Sequence, residues 1–165
     1  MNHASNHPAE PAEPDEPDEP DDERYAFLRH RLSAPISNDD EYWKGLARGE
    51  FTLSRCASCH TWIWPANFRC ADCGAWELEW VPVEPVGRVF SWTRTWMAFD
   101  RVLERRDQVP YVVVLAEIPA AGRVRIMGVL SGSEEKLGVG APVRGLIKPP
   151  SPISKGYPSI VWELI

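Results

Sequence analysis

The sequence predicts a mainly β chain with short helices near its start, a four-cysteine metal ribbon in the middle and a small five-stranded barrel behind it. Three observations carry this reading. The only four cysteines stand as two Cys-x-x-Cys pairs, Cys56/Cys59 and Cys70/Cys73, ten residues apart. Apolar residues recur at spacings of three and four only before residue 50. From Pro82 onward, runs of Val, Ile, Trp and Tyr alternate with Gly and Pro punctuation, the pattern of strands and turns. The expected divisions are a tail over 1–23, a helical segment over 24–50, the ribbon over 51–81 and the barrel over 82–165.

Residues 1–23 hold nine acidic side chains, five prolines and no lysine or arginine. They offer almost nothing apolar to offset the entropy of ordering, so a disordered acidic tail is expected. The remaining chain carries 18 basic and 15 acidic residues, which reverses the overall charge of −6 to +3.

In DDERYAFLRHRL, acids lead and Arg29, His30 and Arg31 trail, while Tyr25, Leu28 and Leu32 share a face. This is a short amphipathic helix with charges suited to its dipole, stopped before Pro35. A second helix is expected from Asn38, an N-cap with Glu41 three residues on, through EYWKGLAR to Gly49. Its apolar face is Tyr42, Trp43, Leu46 and Ala47. Gly45 costs a helix about 1 kcal/mol against alanine, so the helix needs a surface to dock on.

In the ribbon, Phe51–Arg55, Thr61–Trp64 and Trp76–Val81 read as short strands, with Pro65 breaking the middle one. Two Cys-x-x-Cys turns facing each other bring four thiolates to one tetrahedral point, the coordination Zn²⁺ requires. A pair of disulfides would need an oxidising compartment, and redox dithiols a thioredoxin-like context; neither is visible. Four thiolates leave no open coordination position, which makes the metal structural. The same set accepts iron. His60, after the first pair, is expected to be an exposed turn residue. Gly74, after the second, is expected to supply a positive φ.

Behind the ribbon, Gly87–Met97 is a long strand followed by a charged loop, FDRVLERRDQ. Tyr111–Ile118 reads as a strand buried on both faces. Ala121-Gly122 turns the chain into Arg123–Leu130, and Pro142–Ile147 and Ser159–Leu164 follow. Five strands, the first long and bent at glycines, predict a closed Greek-key barrel of the OB type. No apolar stretch approaches the roughly 20 residues that span a bilayer, and no apolar leader opens the chain, so a cytoplasmic protein without a membrane partner is expected.

The ordered set EYWKGLARGEF, LSRCASCHTWIWP, CADCG, LEWVPVEPVGRVFSWT, PYVVVLAEI and VGAPVRGLI resembles the zinc-ribbon and OB-fold proteins associated with acyl-CoA metabolism and thiolases. The likeness covers about residues 38–165. It implies an N-terminal helical segment, a rubredoxin-like zinc ribbon and a C-terminal OB fold, working beside a thiolase-like enzyme that handles acyl-CoA in lipid metabolism. The first knuckle departs from the family's Cys-x-x-Cys-Gly by placing His60 where glycine is usual, a residue that tolerates left-handed backbone at some cost.

Three functions compete. In the first, the chain is a non-catalytic accessory subunit with structural zinc on Cys56, Cys59, Cys70 and Cys73. It would contact its partner through Trp43, Leu46, Trp62 and Trp64, and meet acyl-CoA phosphates through Arg101, Arg105 and Arg106. The second is a single-stranded nucleic-acid binder, since ribbons and OB folds also do that work. Residues 81–165 carry 11 basic against 8 acidic side chains, a weak basic footprint that argues against it. The third, an enzyme in its own right, lacks support: outside the tail only His30 and His60 occur, and Glu84, Asp100, Glu104 and Glu117 form no recognisable pair.

Overall fold

The structure is a computed structural model that describes residues 23–25 and 38–165. The acidic tail and most of the first expected helix lie outside the described residues; Glu23–Tyr25 form a single 3-10 turn.

The second helix, α1, spans Asp40–Ala47. Its N-cap is Asp39 rather than Asn38, and no side chain caps it. The expected capping box of Asn38 and Glu41 does not form; Glu41 pairs with Lys44 at 3.3 Å, and the Asp39 carboxylate accepts from Trp43 Nε1 at 3.1 Å. Asp40 and Glu41 in the first turn suit the helix dipole. The helix ends earlier than expected in a Schellman pattern: Glu50 N–H donates to Gly45 C=O at 2.8 Å and Gly49 N–H to Leu46 C=O at 3.0 Å. Gly45 has a packing reason that its helix propensity concealed. A Cβ there would stand 2.5 Å from Thr52 Oγ1, so the glycine lets the next strand pass directly against the helix.

That strand is β1, Thr52–Cys56, paired antiparallel with β2, Leu78–Pro82, from Thr52↔Pro82 to Cys56↔Leu78. The expected strand over Thr61–Trp64 reduces to one bridge, Arg55↔Trp62. The bridge is made by Ile63 N–H to Ser54 C=O at 3.0 Å and Cys56 N–H to Thr61 C=O at 2.9 Å, and the Ser54 hydroxyl adds a bond to the Ile63 carbonyl.

The barrel strands are β3 (Val86–Thr95), β4 (Tyr111–Ile118), β5 (Val124–Leu130), β6 (Pro142–Lys148) and β7 (Ser159–Leu164). Their order is β3-β4-β5-β7-β6, closed by β3 against β6, with β5 and β7 parallel and the other pairs antiparallel. The expected five-stranded OB-type closure is therefore present. β3 shifts register between Val89 and Ser91, which leaves Phe90 as a bulge. β4 is not buried on both faces: Val112, Val114, Ala116 and Ile118 are buried, and the residues between them are half-buried. This alternation is that of a strand with one face in a barrel interior. The charged loop after β3 is also corrected, since Asp100–Gln108 form a 3-10 helix interrupted at Val102.

One core runs through all parts. Tyr42 and Leu46 of α1 and Phe51 and Leu53 around β1 join Val89, Val114, Ile126, Val143 and Trp162 of the barrel in a single buried cluster. Trp43, Trp62, Trp64 and Trp80 pack on it half-buried. Ribbon and barrel are thus not beads on a string; each covers apolar surface of the other, the dominant favourable term in folding.

Candidate metal centre

The two cysteine pairs sit on turns of matching construction. At the first, His60 N–H donates to Cys56 C=O at 3.0 Å; at the second, Gly74 N–H donates to Cys70 C=O, also at 3.0 Å. His60 has φ 61° and Gly74 φ 79°, so histidine occupies the left-handed position that glycine holds in the sister turn. Its exposed ring finds a use there, with Nδ1 3.3 Å from Glu79 Oε1.

These turns bring Cys56, Cys59, Cys70 and Cys73 together with all four Sγ atoms within 4.8 Å of one another. Cys56 and Cys73 are 3.5 Å apart, Cys59 and Cys70 3.6 Å, and no disulfide joins any of them. Zinc–sulfur bonds of about 2.3 Å place the sulfurs of a tetrahedral site about 3.8 Å apart, so the cluster has the size of such a site. Cys56 and Cys70 are buried and Cys59 and Cys73 exposed, so the metal would sit at the ribbon's edge with one half of its sulfurs rooted in the fold.

Without a cation the cluster is electrostatically uneven. A hydrogen bond with the Thr61 side chain, then one from its backbone, lowers the Cys59 thiol to about 6. The Ala75 amide favours the thiolate of Cys73, but hydrogen bonds with Cys59, Cys56 and Cys70, together with desolvation, push it up to about 12. Sulfurs this close cannot all ionise unaided, and a divalent cation is the group that lets them. Around the thiols, Arg55 Nε donates to Glu79 Oε1 at 2.7 Å and Arg69 Nε to Gly74 C=O at 2.8 Å. The Thr61 hydroxyl donates to Asp72 at 2.9 Å. These contacts fix the turns that carry the ligands, the role of outer-shell groups at metal sites. Among the described residues this is the only cluster of three or more potential metal ligands.

The other expected site residues are not gathered in one place. Leu46 is 2 % exposed and belongs to the core, so it is no surface contact. Trp43 lies edge-on between Tyr42 at 5.1 Å and Tyr157 at 5.3 Å. Trp64 packs on Tyr42 at 4.6 Å, and Trp62 lies under the Arg55 guanidinium. Arg105 stacks over Tyr111 at 5.5 Å and donates to Gln108, while Arg106 donates to Leu103 C=O at 3.4 Å. The Arg101 side chain lies outside the description.

The sequence reading missed the most exposed apolar segment among the described residues. Trp96, Met97 and Phe99 are 71, 63 and 64 % exposed, and Leu103 follows on the 3-10 helix at 42 %. The signal was the run Trp-Met-Ala-Phe between a strand and a charged stretch; the charges masked it.

Residues 43–79 match the ChsH2 rubredoxin-like zinc ribbon domain and residues 80–147 the ChsH2 C-terminal OB-fold domain. A curated relative, the probable enoyl-CoA hydratase alpha subunit of Thermomonospora curvata, is 27 % identical over 109 residues, 66 % of this chain and 33 % of its own. The chain thus spans about a third of that relative's length. Among solved structures, an Ltp2–ChsH2 (DUF35) aldolase superposes with a TM-score of 0.64 at 22 % identity, covering 81 % of this chain and 98 % of that one. A DUF35-family protein of unknown function from Sulfolobus solfataricus gives 0.52 at 18 % identity, with 87 and 91 % covered. At these identities the two structures show the shared fold.

Proposed function

Since the chain belongs to the ChsH2 family of rubredoxin-like zinc ribbons joined to OB folds, we propose that it is a non-catalytic accessory subunit of a thiolase-like, acyl-CoA-processing enzyme. The observation that carries this is the exposed segment Trp96, Met97, Phe99 and Leu103. Large apolar side chains grouped in one exposed stretch mark interaction sites, and tryptophan is a favoured interface anchor. The relatives agree in kind: one is an alpha subunit of a probable hydratase, and one belongs to a structure holding Ltp2 as well as ChsH2.

Cys56, Cys59, Cys70 and Cys73 would hold the metal, with Zn²⁺ favoured. Four thiolates around it supply a rigid cross-link and leave no position for substrate or water. The chain's own residues set the rest. Trp43, Trp62 and Trp64 pack inward and join helix, ribbon and barrel, while the segment after β3 presents the docking surface.

Co-expression with a thiolase-like enzyme from the same organism, followed by light scattering on the purified mixture, tests the reading. Wild type should form a stoichiometric complex, and Trp96→Ala combined with Phe99→Ala should lose it with an unchanged melting temperature. Absence of a wild-type complex, with salt-sensitive retention of single-stranded DNA instead, overturns it in favour of the nucleic-acid reading.

A further inference from the structure

A groove of about 500 Å³ runs between the ribbon and the outer face of the barrel, with Trp64 and Pro65 on one side and Leu115 and Met127 of the β4–β5 hairpin on the other. Its lining includes two arginines, Arg123 and Arg125, and no carboxylate. Beside it, the strand register sets Arg88, Glu117 and Arg125 in one row across β3, β4 and β5. Glu117 is the one acid of that row, and it already serves two guanidiniums, with Arg123 Nε at 3.1 Å and Arg125 Nε at 3.8 Å. Arg125 lies on the Phe90 ring, 3.5 Å from its centroid. No ion pair among the described residues engages Arg88, which is exposed. Three guanidiniums against one carboxylate leave this face a surplus of two positive charges beside an apolar groove.

The chain carries a segment that matches. Residues 8–22 read PAE, PAE, PDE, PDE, PDD, five triplets that each open with proline and together hold eight acids and no base. Proline at every third position favours the polyproline II course, with three residues per turn and a rise of about 3.1 Å per residue. On that course the prolines share one edge, the form in which aromatic-lined grooves take up proline-rich segments, and the acids line the other two. Reach is sufficient. Arg48 Nη1 donates to the Tyr25 hydroxyl at 3.4 Å, which ties the start of the described chain to the end of α1. The same helix packs Tyr42 on Trp64, a wall of the groove, at 4.6 Å. Tyr42 and Arg48 are six residues apart, roughly 9 Å along a helix, against a span of roughly 45 Å for residues 8–22.

We propose that residues 8–22 dock in cis on this groove, prolines against Trp64, Leu115 and Met127 and acids against Arg88, Arg123 and Arg125. The inference stands apart from the accessory-subunit reading. Arg88 pairs with Glu117 at one end of the β3–β4 hairpin and Thr95 with Tyr111 at the other. The Trp96 segment continues from the second end, so the docked tail leaves that surface open. Charge sets its grip, which weakens as the screening length falls from about 10 Å at 0.1 M salt to about 3 Å at 1 M.

Carbodiimide cross-linking of the metal-loaded full chain carrying Arg123→Lys and Arg125→Lys, which keeps both charges and supplies amines, tests this by mass spectrometry. Positions 123 and 125 should join acids of residues 10–22 at 0.1 M salt, and the yield should fall at least about tenfold at 1 M. In an equal mixture of ordinary and ¹⁵N-labelled chains, the joined peptides should carry one isotope only. A second measurement leaves the arginines in place. Amide shifts of wild type and of a chain carrying Glu13→Gln, Asp15→Asn, Glu16→Gln, Asp18→Asn and Glu19→Gln should differ at Leu115, Arg125 and Met127 in 0.1 M salt and coincide in 1 M. Cross-links confined to Lys44, Lys136, Lys148 or Lys155, or shifts that agree at both salt concentrations, overturn the proposal. Mixed-isotope peptides overturn it too, and assign the groove to the tail of a second copy.

Discussion

The Trp62 indole lies so close over Gly122 that a Cβ added to the glycine would stand 2.7 Å from ring atom Cδ1. Trp62 belongs to the ribbon, and Gly122 to the turn between β4 and β5, at φ 61°. The joint between the two modules is therefore a tryptophan seated on a bare left-handed backbone. Gly122→Ala should cost about 1–3 kcal/mol, combining backbone strain with overpacking, measured by denaturant unfolding. In a Trp62→Ala background the cost should shrink toward the strain alone; equal costs in both backgrounds would show that the ring is not the obstacle.

Metal binding should release protons. Near pH 7, Cys59, lowered to about 6, is already thiolate, whereas Cys73, pushed up to about 12, must lose its proton on binding. Calorimetry of Zn²⁺ binding in buffers of different ionisation enthalpy should give more than zero and fewer than four protons per metal. Because protons compete for the same sulfurs, affinity should fall steadily as pH is lowered. One metal per chain is expected, and Cys56→Ser should abolish tight binding and lower the melting temperature.

Trp43 and Trp96 should separate stability from association. Trp43→Ala removes a half-buried ring from between Tyr42 and Tyr157 and should cost about 2 kcal/mol, with partner binding intact. Trp96→Ala should do the opposite. If Trp43→Ala abolishes the complex at unchanged stability, the docking surface has been placed on the wrong side of the molecule.

Glu79 accepts from Arg55 and faces His60, and these bonds, Arg55 first, hold its carboxyl below the usual range. A depressed carboxyl stabilises the fold above its unfolded pKa and loses that contribution as pH falls through its folded value. The melting temperatures of wild type and Glu79→Gln should therefore differ at neutral pH and converge below about pH 4. A difference that persists in acid would point to packing rather than charge.

The four-cysteine cluster was legible because ligand spacing is local: Cys56 through Cys73 determine each other's positions over eighteen residues. His60 in the glycine position was legible for the same reason. The barrel strands were readable from alternation and turn residues, within a residue or two at their ends. What escaped depends on distant partners. The N-cap position of α1 falls on Asp39 rather than Asn38, and the Asp39 carboxylate is engaged by Trp43 instead of by the helix backbone. Gly45 looked like a weakness because Thr52, its neighbour in space, is not its neighbour in the helix. Leu46 and Trp96 are both apolar, and only the closed fold decides that one is buried and the other exposed.

The parallel pairing of β5 with β7 has a consequence for synthesis. β7 lies between β5 and β6 in the sheet but follows both in the chain, so each keeps an open edge until β7 has been made. The 28 residues between Leu130 and Ser159 take roughly one to six seconds to translate. During that interval β5, and β6 once Pro142–Lys148 has been made, present unpaired amides that another nascent copy can zip onto. Crowded polysomes are where this chain is most exposed to mispairing.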